Sequence, residues 1–387
     1  MMSDKNQIVK ILLKILILFL VSCGSNQTEL IKIDPTVFID KEISLSQIAD
    51  EIRYIPLDNS IKFGLVFSIE VSDKHIFISA KDIGILVFDL NGKFITKIGD
   101  IGRGPQEYVY YLRFAVDDNE NIYIGDSFKS VKIFSINNLL VRTNVFPDND
   151  AYFDDIEYFN SMLFIANSSF GDSKYDWIIL DTLGNELIKK PNFIPNFPSN
   201  LGAWVGCYKY DKNIYYWNSY NDTVFCINPD FNYHPVLLFS PGNHRLPRSP
   251  INDFSKLSYY MQPHSLFETK QFYIFKYFFD GREAIAFINK EKKEIFAVPL
   301  QRNDDSGYGK YIGGISNDFD NGPVFQPFCC LEKEQGEYLL GLVNAFEFTS
   351  LKLDRSGENY GNSNVMEMVN KINETDNPVL MLVRLKQ

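Results

Sequence analysis

The sequence predicts an all-β chain folded as a six-bladed β-propeller, its ring closed by an N-terminal strand pairing with the last blade. Three observations carry this. Turn signals recur at Asn91-Gly92, Asn137-Asn138, Leu183-Gly184-Asn185 and Asn228-Pro229-Asp230, roughly 46 residues apart. That interval is close to the period of a propeller blade, about 40–50 residues. Apolar runs such as Ile85-Leu86-Val87-Phe88 are continuous rather than alternating, which suits strands covered on both faces. Finally, the last repeat lacks a strand, and residues 51–57 offer a spare one ahead of the first repeat.

In chain order, the start is basic, with Lys5, Lys10 and Lys14, and is followed by the short apolar run Ile15 to Val21. This is the pattern of a secretion signal, too short for an ordinary membrane span of about 20 apolar residues. Leu20-Val21-Ser22-Cys23 resembles the lipobox of bacterial lipoproteins. That resemblance implies cleavage before Cys23 and lipid attachment to it; the alternative is an ordinary signal with a chance cysteine. Gly24 rather than Asp follows, so the retention signal of enteric inner-membrane lipoproteins is absent. The expected organisation is a signal over 1–22, lipidated Cys23 with a tether over 23–42, and a propeller over 43–387.

The formal net charge is −11; removing residues 1–22, with three lysines and one aspartate, leaves about −13. No basic footprint for nucleic acid is present, and membrane attachment is expected through the N-terminal lipid only. Cys207, Cys226, Cys329 and Cys330 do not read as a disulfide framework. Two of them lie two strands apart in one sheet, and the other two are adjacent, so all four are expected as buried thiols.

The first blade takes strands at 66–71, 75–79, 85–89 and 94–98, with Asn91-Gly92 expected as a two-residue type I′ turn, in which both residues have φ > 0. The second takes 112–116, 122–125, 131–135 and 140–145. The third covers 155–191, the fourth 203–239 and the fifth 265–299. Residues 240–263 form a Pro-rich insertion. The sixth takes 325–331, 338–343 and, after an interruption with a short helix near 363–372, 379–385. Strand 51–57 is expected to pair with 379–385, with Pro56 suited to an outermost strand.

Gly102-Arg103-Gly104-Pro105-Gln106-Glu107-Tyr108, then Phe114-Ala-Val-Asp117 and Asn121-Ile-Tyr-Ile-Gly-Asp126, resemble NHL repeats. They are closer still to six-bladed propeller lipoproteins of Bacteroidetes-type bacteria, which Tyr54-Ile-Pro-Leu57, Tyr220-Asn-Asp-Thr223 and Asp376-Asn-Pro378 also match. The resemblance spans nearly the whole mature chain and implies a binding scaffold in the cell envelope, with no common reaction. The later blades lack the glycine corner. Asp181-Thr182-Leu183 and Asp222-Thr223-Val224 resemble an O-glycosylation signal, which would place glycans on Thr182 and Thr223.

The search for chemistry is brief. Gly99-x-x-Gly102-x-Gly104 is followed by Pro and a strand, not by the helix a phosphate loop must open, so it reads as a corner. One of Gly102 and Gly104 is expected at φ > 0 or against a neighbouring strand. His75, His234, His244 and His264 show no ligand spacing, although His244 and His264 bracket the insertion. The acidic turns Asp117 to Asn121 and Asp318 to Gly322 are expected as solvated turns rather than calcium loops.

A site is expected on the face carrying the loops between second and third strands and between blades. The candidate ligand-binding residues there are Arg103, Glu107, Tyr108, Asp126, Lys129, Trp217, Tyr220, Asp222 and Arg282. No catalytic, metal or cofactor residues are assigned. The leading expectation is a lipid-anchored, monomeric, non-enzymatic outer-membrane scaffold for a protein or glycan partner. The alternative is an extracytoplasmic metal-assisted hydrolase or lyase using acids on that loop face.

Overall fold

The computed structural model describes residues 30–126, 130–145, 154–168, 173–202, 204–303, 310–354 and 364–386. Six four-stranded antiparallel blades follow one another. The first strands of consecutive blades, Val66–Val71, Phe114–Val116, Asp155–Phe159, Val205–Tyr210, Gln262–Glu268 and Pro327–Lys333, adjoin in that order and surround a central channel. The sixth blade is built from both ends of the chain. Ala49–Pro56 pairs antiparallel with Val379–Leu385, starting two residues earlier than the sequence pattern indicates.

The continuous apolar runs have a direct cause. In the third strand of blade 1, Gly84–Asp89, alternate side chains point to opposite faces. Ile85 and Val87 enter the core shared with blade 2, while Leu86 and Phe88 enter the core shared with blade 6. Each side chain so buried contributes about 1.5–3 kcal/mol relative to exposure. Equivalent wedge-shaped cores lie between blades 2 and 3 and between blades 3 and 4.

The recurrent turns are of a different type from the one expected. Asn91 does not take φ > 0; Gly92 alone does, at +85°. The Gly92 N–H donates to Asp89 O at 3.0 Å, and the Asp89 N–H donates to Lys93 O at 2.9 Å. This is a three-residue turn closed by one left-handed residue. The same position is filled by Asn138 (φ 61°), Gly184 (φ 91°) and Phe231 (φ 65°), so the period is real although the turn type differs. The opening residue locks the turn: Asp89 Oδ1 accepts from the amides of Asn91 and Lys93 at 2.8 and 2.9 Å, and Asn228 Oδ1 accepts from Asp230 and Asn232 at 3.1 and 2.9 Å.

The N-terminal segment is not a free tether up to residue 42. Ile31–Ile33 adds a parallel fifth strand to the outer edge of blade 4, and Ile39–Asp40 does the same on blade 5. The outermost strands there leave unpaired N–H and C=O groups, and the passing chain satisfies them. Ser46 then reaches Asp318, whose carboxylate accepts from its amide at 2.9 Å and its hydroxyl at 2.5 Å. These bonds hold the Asp318 carboxyl down to about 2. Asp320 accepts from the Tyr54 hydroxyl at 3.2 Å and the Gly322 amide at 2.9 Å. The Asp318 to Gly322 turn, exposed at Asp318, Phe319 and Asn321 as expected, also clasps the belt and the closing strand. Asn377, 2% exposed, binds the far side of the closure through the carbonyls of Asp58 and Ile61, both at 2.7 Å, and the amide of Phe63 at 3.0 Å.

The interruption in blade 6 holds two helices, Ala345–Asp354 and Asn364–Lys371, of which only the second is visible as a sequence pattern. Phe348, Val365 and Val369 anchor them to the core of blades 4 to 6. No helix among the described residues is long and apolar enough to cross a membrane. Cys23 lies outside the described residues.

Candidate functional site

The first strand of each blade lies beside the channel, and its alternate residues share one side. In several blades those residues are polar: Ser68 and Glu70 in blade 1, Asp155 and Glu157 in blade 3, and Cys207 and Lys209 in blade 4. Together with Arg113, just before blade 2, and Cys329 of blade 6, they line a cavity of about 650 Å³. Its rim comprises turns between first and second strands, including Ser72 to Lys74 and Asp117 to Glu120. These turns stand on the opposite face from the one expected to carry a site, while Trp217 and His264 line the cavity at its other end.

The charged wall is a network across blades. Lys209 Nζ lies 2.7 Å from Glu157 and 3.9 Å from Glu70. Arg113 Nε lies 3.6 Å from Asp155 and its Nη1 donates to Phe67 O at 3.1 Å. Asp155 also accepts from the Cys207 amide at 3.1 Å. Burial pushes the Glu70 carboxyl up to about 8, the like charge of Glu157 adds to this, and Lys209 opposes it. Burial works against a charged Lys209, but Glu157 and Glu70 outweigh it and hold the amine above the usual lysine range. Burial, with Asp155 and Glu157 beside it, pushes the Cys207 thiol up; burial and Glu70 do the same to Cys329. All four described cysteines are free.

The candidate residues read from sequence fall into three groups. Glu107, Tyr108 and Asp126 come together, but as the frame of the glycine corner. Glu107 Oε2 accepts from the Gly104 amide at 2.6 Å, and Asp126 Oδ1 accepts from the Val109 amide at 2.8 Å. Lys132 joins Asp126, at 3.3 Å, to the Glu107 carbonyl. Tyr108 is fully buried, its hydroxyl donating to Ile98 O at 2.7 Å and accepting from the Ile85 amide at 3.0 Å. Neither Gly102 nor Gly104 takes φ > 0; Gly99 does, at +56°, against the rings of Tyr108 and Phe134.

Tyr220, Asp222 and Arg282 form a second group, occupied with packing the insertion and the belt. The fully buried Tyr220 lies 2.8 Å from Ser199 Oγ through its hydroxyl, and its carbonyl accepts from Arg248 at 2.9 Å. Asp222 pairs with Arg245, and Arg282 with Asp40 of the belt. Among the candidates, Trp217 lines the cavity, its indole lying over Gly206 so closely that a Cβ there would sit 2.7 Å from Nε1. Arg103 is exposed on the corner, and Lys129 lies outside the described residues. Thr223 sits inside the third strand of blade 4, and Thr182 in an outer turn.

The Asp117 to Asn121 turn exposes Asp118 and Asn119 to solvent as expected, but Asp117 is only 8% and Glu120 7% exposed. Asp117 accepts from the amides of Asn119 and Asn121 at 2.9 and 2.8 Å, so its oxygens face donors. Glu120 meets His75 Nδ1 at 2.9 Å. His244 and His264 do not converge: His244 packs on Tyr259 and Phe279, His264 on Trp204. Among the described residues no group of three His, Cys, Asp or Glu side chains is arranged to hold a metal ion.

The cavity wall was missed because loops, not first strands, were searched. The readable signal was polar residues two apart in otherwise apolar strands, as in Phe67-Ser68-Ile69-Glu70 and Asp155-Ile156-Glu157.

Solved structures share this architecture. A protein described as exported, from Bacteroides fragilis, superposes with a TM-score of 0.63 at 18% identity, over 92% of this chain and 99% of its own. A member of the DUF4221 family from Bacteroides vulgatus gives 0.46 at 12% identity, over 87% and 97%. The extracellular domain of a one-component system from B. thetaiotaomicron gives 0.41 at 11% identity, over 72% and 33%. No curated protein matches the chain. The match to a family model over residues 29–384 begins at the belt and ends in the closing blade, and by it the chain belongs to the family described as a domain of unknown function, DUF4934.

Proposed function

We propose that the protein is a lipid-anchored propeller of the outer membrane that binds a protein or glycan partner without transforming it, acylated at Cys23. The observation that supports this is the chemistry of the cavity wall. Its three thiols, Cys207, Cys329 and Cys330, are pushed away from the thiolate by burial. Its cations are held against carboxylates, Lys209 against Glu157 and Arg113 near Asp155. Such a wall complements a bound group by charge and shape and activates no nucleophile. The cavity size is within the range of small-molecule sites, about 300–1,000 Å³, so the partner is expected to insert a terminal group or sugar unit there.

In-cell cross-linking from the channel rim and glycan-array binding, with the parent and Glu70→Lys, test this. The expected result is a cross-linked partner or glycan that the variant loses while its melting is unchanged. Release of a modified product from the captured partner would refute the non-enzymatic reading.

A further inference from the structure

Eight acidic residues and five Lys or Arg residues line the cavity; on and beside the first strands these are Glu70, Asp155 and Glu157 with Arg113 and Lys209. Lys209 is committed to Glu157 at 2.7 Å and remains 3.9 Å from Glu70, outside hydrogen-bond range. Arg113 is turned to Asp155 and the Phe67 carbonyl. Glu70 therefore accepts no side-chain or backbone hydrogen bond from any described residue, although it lines the cavity. Two residues earlier on the same side of the strand, the Ser68 hydroxyl is buried and also lacks a partner. The buried Ser68 hydroxyl is costly to leave unpaired, and the Glu70 carboxylate beside it, 24% exposed to the cavity, has open lone pairs for a donor that enters there.

We propose that the cavity binds a small organic cation, a primary amine or guanidinium on an apolar body, whose charged end supplies the missing partner of Glu70. A metal ion is a poorer occupant, since no three ligating side chains converge among the described residues. Water alone, at about 30 Å³ a molecule, leaves a cavity of about 650 Å³ without a specific occupant. Phe114, Phe159, Trp217, Phe267 and Phe328 supply apolar wall on which the body of such a ligand can lie, with Trp217 able to take a cation over its ring.

The groups that face Glu70 are Glu157 and Asp155 of blade 3, Lys209 of blade 4, Arg113 before blade 2 and Cys329 of blade 6. A cation arriving there favours the ionised carboxylate, so binding at neutral pH releases the proton that burial and Glu157 hold on Glu70. This inference rests on the binding reading above and gives it a ligand class.

The test is calorimetric titration of the purified full-length protein with agmatine, spermidine and 2-phenylethylamine, with 2-phenylethanol as the uncharged match. At pH 7, in two buffers of different ionisation heat, at least one amine is expected to bind with proton release, about tenfold or more tighter than the alcohol. Glu70→Gln should weaken that binding by about tenfold and abolish the proton release without lowering the melting temperature. Lys209→Met, which removes a competing cation, should strengthen it. Failure of all three amines at about 10 mM, or unchanged binding by Glu70→Gln, overturns the ligand class. Failure of the amines with a captured partner leaves the scaffold reading standing; chemical conversion of a bound amine overturns the scaffold reading alone.

Discussion

Gly92 joins the repeated outer turn to the closing strand, and its replacement gives a graded test of why the ring holds. Its φ of +85° disfavours any L side chain, and an added Cβ would lie 2.2 Å from the carbonyl oxygen of Pro56. The left-handed conformation costs about 1–2 kcal/mol, offset by about 0.4–1 kcal/mol from the less flexible unfolded chain. Relieving the clash must move backbone against backbone, and it disturbs the Asp58 N–H bond to Gly92 O at 2.8 Å. A weakened hydrogen bond of that kind adds about 0.5–1.5 kcal/mol, and residual strain about 1–3. Gly92→Ala is therefore expected to destabilise by about 2–4 kcal/mol. Two controls separate the contributions. Gly281, at φ +76° with open space around it, should cost about 0.5–1 kcal/mol as Ala. Gly64, with neither constraint, should change stability by less than about 0.5 kcal/mol. Urea unfolding followed by tryptophan fluorescence orders the three. Equal losses at Gly92 and Gly281 would show that the Pro56 contact is relaxed at no cost and that the turn does not brace the closure.

Stability should fall as pH rises from about 4.5 to about 8, because folded Glu70 keeps a proton that the unfolded chain releases near 4.5. Melts of the parent and Glu70→Gln across that window should converge at the acidic end and separate at the alkaline end, with the variant more stable; parallel curves would remove Glu70 from the linkage. Deleting residues 30–42 should bare the outer edges of blades 4 and 5, lowering the melting temperature and promoting aggregation seen by light scattering; a parental melt would make the belt ornamental. Gly99→Val should cost more than Gly104→Val, since Gly99 alone has φ > 0 and its Cβ would meet the Tyr108 ring at 2.8 Å, whereas Gly104 meets the movable Glu107 carboxylate at 3.0 Å; the reverse order in thermal melts would refute this. Cys23→Ala should abolish labelling by a fatty-acid analogue and release the protein from membranes, and retained label in the variant would place the lipid elsewhere.

What the sequence made legible follows from which interactions are local. A left-handed turn residue leaves a mark at its own position, so Gly92, Asn138 and Gly184 could be read as a period. A strand buried on both faces leaves a run of apolar residues, as at Ile85 to Phe88, so the blades could be placed to within a few residues. The closing strand was readable because a repeat with three strands and a spare strand at the other end imply each other. The belt was not readable: Ile31–Ile33 and Ile39–Asp40 are short, and their parallel pairing with blades 4 and 5 joins residues some 200 positions apart. Nor was the second fate of Tyr220 and Asp222, since their partners Ser199 and Arg245 come from separate connections.

The structural employment of the loop candidates has the same origin. Trp, Tyr, Arg and Asp on loops are enriched at binding surfaces, but here they are the residue types that dock an insertion, a belt and a corner onto the ring. Those connections occupy the face with the long loops, which is why their polar groups are already satisfied. The opposite face has short turns between first and second strands, such as Asn160 to Ser161 and Asp211 to Lys212, with φ between 46° and 60°. Short turns cannot fold over the channel, so the polar side chains of the first strands stay accessible from that side. Glu70 there has only the long 3.9 Å ion pair with Lys209 and no hydrogen bond from a described residue. The long loops are spent on assembly, and the sequence signal of the cavity is polar alternation in the first strands of blades 1, 3 and 4.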